Sequence, residues 1–168
     1  ENLESAYEKT NLCIELPLNT DMNIFKNKKQ VGFVSRNITK KESIYYLQEG
    51  IDTGQYYILA ICCSRVDLHI GNIKIGPIRR KDGLSDLVTV IGDRNYWGKG
   101  IATLAIKKII SICKDLYKLE KITAGVYDGN IASEKVLIKC DFQMEGRRIK
   151  HVIFQGKRID YLEFGKVV

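Results

Sequence analysis

The stretch Asp93-Arg94-Asn95-Tyr96-Trp97-Gly98-Lys99-Gly100-Ile101-Ala102-Thr103 decides how this chain is read. It follows a β-rich run, Leu87 to Ile91 (LVTVI), and leads into a segment where Ile101, Leu104, Ala105, Ile109, Ile112 and Leu116 recur at helical spacing. Lys107, Lys108 and Lys114 fall on the wetter side of that helix. A strand therefore passes through a glycine turn straight into an amphipathic helix. Two glycines allow the backbone to approach a ligand, and the first helical turn presents unpaired N–H groups at the positive end of the macrodipole. Such a turn can seat a phosphate or pyrophosphate. Taken alone it is equally an ordinary tight turn with a helix cap. It is neither a Walker loop nor G-x-G-x-x-G, because no Ser/Thr follows Lys99 and no third glycine follows Gly100.

Outward from this turn the pattern continues in both directions. Lys121 to Tyr127 reads as a strand, Asp128-Gly129 as a turn, and Ile131 to Lys139 as a short helix. Strands are expected around Phe142–Phe154 and Arg158–Val167, joined at Gln155-Gly156-Lys157. Upstream, Tyr56 to Ser64 and Leu68 to Ile78 form a hairpin through the polar link Ser64–Asp67. Thr39-x-x-Glu42 is a capping-box pattern, which predicts a helix from Lys40 to Glu49 stopping at Gly50. Leu12, Ile14 and Leu16 alternate as in a short strand ended by Pro17, and Asn27-Lys28-Lys29 is a polar loop. The order β-β-β-α-β-α-β-β behind a helical N-terminal part predicts an α/β (α+β) fold with a mixed sheet. Its parallel pair and right-handed crossover belong to the unit Leu87 to Tyr127, and ligands favour the carboxyl ends of such strands.

The chain has 168 residues, a formal charge of +7 and 45% hydrophobic residues, the balance of one globular domain. No apolar run approaches the ~18 residues of a membrane span. Cys13, Cys62, Cys63, Cys113 and Cys140 are odd in number and form no C-x-x-C or zinc-spaced cluster. They read as reduced thiols of a cytoplasmic protein with no metal, and neither His69 nor His151 completes a Cys/His signature. The chain begins at Glu1 rather than Met, so a few preceding residues are expected to be absent, and its first residues carry no basic-then-apolar signal pattern. The positive charge suits an anionic cofactor and could suit a nucleic acid. The basic residues are scattered, however, and no nucleic-acid-binding motif appears.

Gly98-Lys99-Gly100-Ile101-Ala102 resembles the acetyl-CoA pyrophosphate loop, Q/R-x-x-G-x-G/A, of the GNAT superfamily of N-acetyltransferases, and the run Tyr96 to Thr103 resembles its RimJ/RimL branch. The rest of that branch's pattern follows in order. Asn130-Ile131-Ala132-Ser133 is similar to its N-x-x-S, Lys139-Cys140-Asp141-Phe142 to its K-x-G-F, and Glu145-Gly146 to its E-G. Gly156-Lys157 leading to Asp160 resembles its closing hairpin, and Ile70-Gly71-Asn72-Ile73 its I-G-x-I strand. The likeness spans about Ile70 to Phe164. Three positions depart from it: Asn95 stands for Gln or Arg, Cys140-Asp141 removes the glycine before Phe142, and Leu137 occupies the position of the helix tyrosine that is the usual acid. The change at Asp141 predicts an altered turn after the helix.

The resemblance implies a mixed, mostly antiparallel sheet with a central splayed parallel strand pair flanked by helices. It also implies a single domain over 1–168, with about 1–54 on the acceptor side and about 55–168 forming the acetyl-CoA-binding core. Acetyl-CoA would lie between the strands ending near Ile91 and Tyr127, its arm against the backbone of Val88, Thr89 and Val90. Its phosphates would rest on amides of Trp97, Gly98, Lys99, Gly100, Ile101, Ala102 and Thr103, with Asn130 touching the arm. Asp86 is the expected base and Ser133 the expected donor to the sulfur, with His151 as alternative base and Tyr127 as alternative acid. Asn130 and Ser133 also suit a plain helix cap, and Asp86 a plain loop carboxylate. The implied activity is acetyl-CoA-dependent N-acetyl transfer to a primary amine of a small molecule, such as a nucleotide-linked amino sugar. Protein N-terminal acetylation and a non-catalytic acetyl-CoA-binding module are the alternatives. No nucleic acid or membrane partner is expected, and the oligomeric state is unread.

Overall fold

The structure is a computed structural model that describes residues 40–63 and 68–168. The candidate strand at Leu12–Leu16, the loop at Asn27–Lys29 and the hairpin link Ser64–Asp67 lie outside the described residues. The elements run α1 (Lys40–Thr53), β1 (Tyr57–Cys63), β2 (Leu68–Arg79), β3 (Leu84–Ile91), α2 (Ile101–Tyr117), β4 (Lys121–Tyr127), α3 (Ile131–Lys139), β5 (Gln143–Phe154) and β6 (Lys157–Val167). The strands form one sheet in the order β1-β2-β3-β4-β6-β5. Every neighbouring pair is antiparallel except β3 with β4, which is parallel.

Two expected boundaries move. The first helix passes through Gly50 and ends at Gly54, whose φ of 61° is the left-handed conformation that stops a helix. Gly50 lies inside the helix, and it is a glycine because the ring of Tyr56 occupies the place of a side chain there. The third strand begins at Leu84, three residues before Leu87, so Asp86 sits inside the strand and does not open it. Ser85 and Asp86 interrupt the apolar run, yet pairing holds them extended, Ser85 between Ile78 and Ile122, and Asp86 against Thr123 of β4 where the β2 register shifts.

One face of the sheet carries the core. Ile73, Ile75, Leu87, Ile122, Ala124, Val126, Leu162 and Phe164 join Ile101, Ala105, Ile106, Ile109 and Cys113 of α2 in a single buried cluster. Ile101, Ala105 and Ile109 are inward as helical spacing predicts, but Leu104 and Leu116 are exposed and Ile106 and Cys113 are buried in their stead, because the stripe that meets the sheet is rotated toward Ile106. Truncating Ile109, fully buried, to Ala would cost about 2–5 kcal/mol. The opposite face collects Lys74, Asp86, Val88, Thr123, Gly125, Tyr127 and Tyr161, since strand residues alternate and paired residues share a face. At its β1–β2 side α1 packs over this face, where Lys74 Nζ donates to Tyr46 Oη and lies 4.4 Å from the Tyr56 ring centroid.

The turn after α3 corrects an expectation. Asp141 takes φ 64°, the conformation a glycine would supply, so the turn is not altered. Phe142 N donates to Leu137 O (3.1 Å) and Asp141 N to Ile138 O (3.0 Å), a Schellman closure. Asp tolerates the left-handed region better than most residues, and Lys166 Nζ holds its carboxylate at 3.1 Å.

Candidate active site

The ladder between β3 and β4 contains the pairs Leu84–Lys121, Ser85–Ile122 and Asp86–Thr123, and it stops there. Beyond that rung, β3 pairs with β2 alone as far as Ile91, and β4 with β6 alone as far as Tyr127. The facing edges of Leu87–Ile91 and Ala124–Tyr127 thus carry backbone donors and acceptors that their parallel partner does not use. Extended main chain of this kind can pair with an added linear polar ligand. Val88, Thr89 and Val90 lie in that segment, with Val88 and Val90 exposed on the open face.

At its far end β3 leads to the glycine turn. Gly92 N donates to Ile70 O (2.9 Å), and Asp93 Oδ1 accepts from Asn95 N (2.9 Å), starting a single 3-10 turn over Arg94–Tyr96. Tyr96 is buried beneath the turn, while Trp97 is exposed and donates from Nε1 to Ile91 O at 2.8 Å. Arg94 stacks at 5.5 Å on Trp97, and Lys99 Nζ at 5.4 Å on Tyr96. Gly98 and Gly100 have φ of 73° and 78°, and a Cβ at either would meet nothing within 4 Å. Backbone conformation, not crowding, asks for glycine at these two positions.

Gly100 caps α2 without a side-chain hydrogen bond. Leu104 N is the first amide to bond back into the helix, to Gly100 O at 3.0 Å. The amides of Ile101, Ala102 and Thr103 precede it and belong to the unpaired first turn. The positive end of a 17-residue helix therefore opens onto bare backbone. Among the described residues, the buried side-chain oxygens lacking a hydrogen-bond partner are Thr89 Oγ1 and Asp93 Oδ2, both at this end of β3. The donors that suit an elongated, polar, anionic ligand such as acetyl-CoA are the unpaired amides at the start of α2 and along the free edge of β3, not the Asp93 carboxylate.

Asn130 caps α3, its side chain accepting from Ser133 N at 3.3 Å, so the cap reading and a ligand-facing amide are compatible. Ser133 is half-buried in the first turn of α3. Cys140 Sγ lies 3.6 Å from Thr103 O and ties the end of α3 to the start of α2. The Leu137 that replaces the usual tyrosine is buried in the core.

Asp86 sits on the last rung before the strands part. Its Oδ1 accepts from Thr123 Oγ1 and lies 3.9 Å from Arg79 Nη2, with the two charged side chains 46% and 50% exposed. Tyr161, on β6, lies over Gly125, where a Cβ would collide with its hydroxyl. Burial, foremost, pushes the Tyr161 phenol above its ordinary value, with the carboxylates of Asp86 and Glu163 adding to this. Its ring packs at 6.0 Å from both Tyr127 and His151. Tyr127 also meets Phe154 at 5.9 Å, as a strand aromatic would. Sequence reasoning missed Tyr161 and Arg79, and Gly125 was the available clue to the first, a glycine inside an otherwise β-rich strand.

The buried thiols are not nucleophiles. Burial pushes Cys113 up to about 12 and raises Cys140 as well, so at neutral pH the reactive thiolate is scarce. Among the described residues no group of three or more His, Cys, Asp and Glu could hold a metal, and no helix is long and apolar enough to cross a membrane.

Comparison with known proteins agrees with this fold. The sequence model of the family described as Acetyltransferase (GNAT) domain matches residues 14–143. The chain is 29% identical over 117 residues to the probable N-acetyltransferase YjcK of Bacillus subtilis, covering 70% of this chain and 65% of that protein. It therefore spans less than two thirds of that relative. Among solved structures, it resembles spermidine N-acetyltransferase from Vibrio cholerae in complex with CoA and spermine, with a TM-score of 0.73, 17% identity, and coverage of 78% of this chain and 76% of that one. It also resembles Mycobacterium smegmatis RimJ in complex with CoA-disulfide, with a TM-score of 0.69, 23% identity, and coverage of 75% and 60%.

Proposed function

The chain belongs to the acetyltransferase (GNAT) domain family, and from that premise we propose that it moves an acetyl group from acetyl-CoA to a primary amine of a small molecule. One observation carries the reading: the β3–β4 ladder ends at Asp86–Thr123, and the parted strands lead to the uncapped start of α2. A bound acetyl-CoA supplies an acyl group activated as a thioester. The free edge of Val88, Thr89 and Val90 pairs with its arm as an added strand would, and a backbone N–H there polarises the acyl carbonyl. Amides from Trp97 to Thr103 and the α2 dipole hold its phosphates, while the Asn130 amide touches the arm.

Asp86 is the base. Its carboxylate lies on the open face at the mouth of the gap, half-exposed, where it can take a proton from an incoming ammonium directly or through water. Ser133 donates to the departing sulfur. Residues of about 1–54 shape the acceptor side and about 55–168 the cofactor core. The corner around Asp86 is bounded by Arg79, Thr123 and Tyr161, which suits a compact amine better than a folded protein. The RimJ likeness makes protein N-terminal acetylation the second reading.

The test is thiol release from acetyl-CoA with amino sugars, amino acids, polyamines and short peptides offered in turn. Release with a small amine is expected. Release with peptides alone would move the acceptor to protein N-termini. CoA binding without release on any amine would leave a non-catalytic binding module.

A further inference from the structure

Arg79 and Lys74 border the candidate base on the open face, and they restrict what can dock there. Arg79 Nη2 lies 3.9 Å from Asp86 Oδ1, in contact but beyond hydrogen-bond length, so the guanidinium fork is only loosely engaged. Lys74 is opposite Val88, two residues along β3 from Asp86, a diagonal neighbour at roughly 7–8 Å. Among the described residues, other charged groups of this face are already matched. Arg148 pairs with Glu163 at 2.6 Å, and Lys121 with Glu145 at 2.8 Å. Glu49 of α1 accepts from Tyr56 Oη, on the ring that Lys74 caps.

An amine that docks as an ammonium on Asp86 therefore arrives against a guanidinium. Like charges at contact distance repel strongly in a partly desolvated corner. An acceptor whose amine is accompanied, a few bonds away, by an oxyanion removes that repulsion and gives the guanidinium a planar partner. A polyamine meets the opposite situation, because it brings several cations to a carboxylate that Arg79 already faces. Arg79 does not serve the acetyl-CoA phosphates either. It pairs with Leu84 at the start of β3, and the strand runs roughly 17 Å from Asp86 to Ile91 before the glycine turn begins.

We propose that the acceptor is an amine bearing a nearby oxyanion, phosphate or carboxylate, which Arg79 grips with support from Lys74 while Asp86 receives the amine. This rests on the acetyl-transfer reading. The experiment compares matched acceptors in the thiol-release assay: aminoethyl phosphate against ethanolamine, an amino acid against its amide, and spermidine. The oxyanion-bearing member of a pair should be favoured in kcat/KM by about ten- to a hundredfold, as expected for a charge-assisted pair. The two pairs separate phosphate from carboxylate. R79Q should lower kcat/KM for the oxyanion-bearing amine, mainly through KM, about tenfold or more beyond its effect on the matched amine, and R79K should restore part of the difference.

Equal loss for both members would mean that Arg79 acts only through Asp86, and the proposal falls. Spermidine or the plain amines serving as well as their partners would also overturn it, with the acetyl-transfer reading intact. Thiol release from none of the amines, with CoA still binding in calorimetry, would overturn both.

Discussion

The two ends of β3 are built in different ways. At the Ile91 end, the glycine turn and the start of α2 form a site from consecutive backbone, Asp93 to Thr103, whose side chains mostly point elsewhere: Tyr96 and Ile101 into the core, Trp97 back onto Ile91 O. At the Leu84 end, Asp86 acquires its surroundings from β2, β4 and β6, through Arg79, Thr123 and Tyr161. The first end depends on local conformation and two positive φ angles. The second depends on strand register, and a one-residue slip would send Asp86 to the core face. On the proposed acetyl-transfer reading the contrast separates the roles: the cofactor is held by main chain, and the acceptor is selected by side chains that the sheet assembles.

Variants can break this contrast. The largest effect is expected from Asp86→Asn, which keeps shape and removes proton acceptance. Turnover at neutral pH should fall by roughly 10²–10⁴-fold with cofactor affinity retained, and the loss should shrink as pH rises and free amine becomes abundant. A flat, near wild-type rate from pH 6 to 9 would make Asp86 a surface carboxylate and His151 the better base. Gly100→Asp should act at the other end, weakening acetyl-CoA binding in calorimetry by about a hundredfold through charge repulsion at the phosphate seat. An aspartate at φ 78° is strained, so thermal stability should fall modestly, and Gly100→Asn, which carries the same strain without the charge, should keep most of the affinity. A matching loss of affinity in both variants would mean a damaged fold, not a damaged seat.

Ser133→Ala should cost about tenfold in turnover, at the low side of a proton-donor contribution, with little change in CoA affinity and less recovery at high pH than Asp86→Asn. Unchanged turnover would leave Ser133 as a cap residue. The smallest effect lies in the β5–β6 arm, away from both ends. The Lys150 N–H (2.7 Å) and Arg147 (2.6 Å) hold the Asp160 carboxyl below its ordinary value. A lowered carboxyl contributes stability that is present above about pH 4 and lost as pH falls through its folded value. Melting curves from pH 6 down to 2 should therefore fall slightly more steeply for wild type than for Asp160→Asn. Parallel curves would show that the contact adds nothing.

Some elements were readable because their signals are local. Lys121–Tyr127 and Ile131–Lys139 occupy the expected residues, since alternation, the Asp128-Gly129 turn and the Asn130 cap all act over a few positions. Others were misread because distant residues override local preference. Gly50 is a glycine to make room for Tyr56 and not to end the helix, Ser85 is held extended by strands on both sides and Asp86 by β4, and Asp141 takes a glycine's conformation with Lys166 on its carboxylate.

By itself, the sequence determined the element order, the Ile101, Ala105 and Ile109 part of the inward face of α2, and the glycine turn at its start. Each of these follows from periodicity, backbone freedom and helix-end chemistry within about ten residues. Only the tertiary structure decided where β3 and β4 part, that Arg79 and Tyr161 stand beside Asp86, and hence which charges an acceptor meets. Those neighbours are some 7 to 75 residues away along the chain, and they meet through register between strands, a relation that spacing along one strand does not contain.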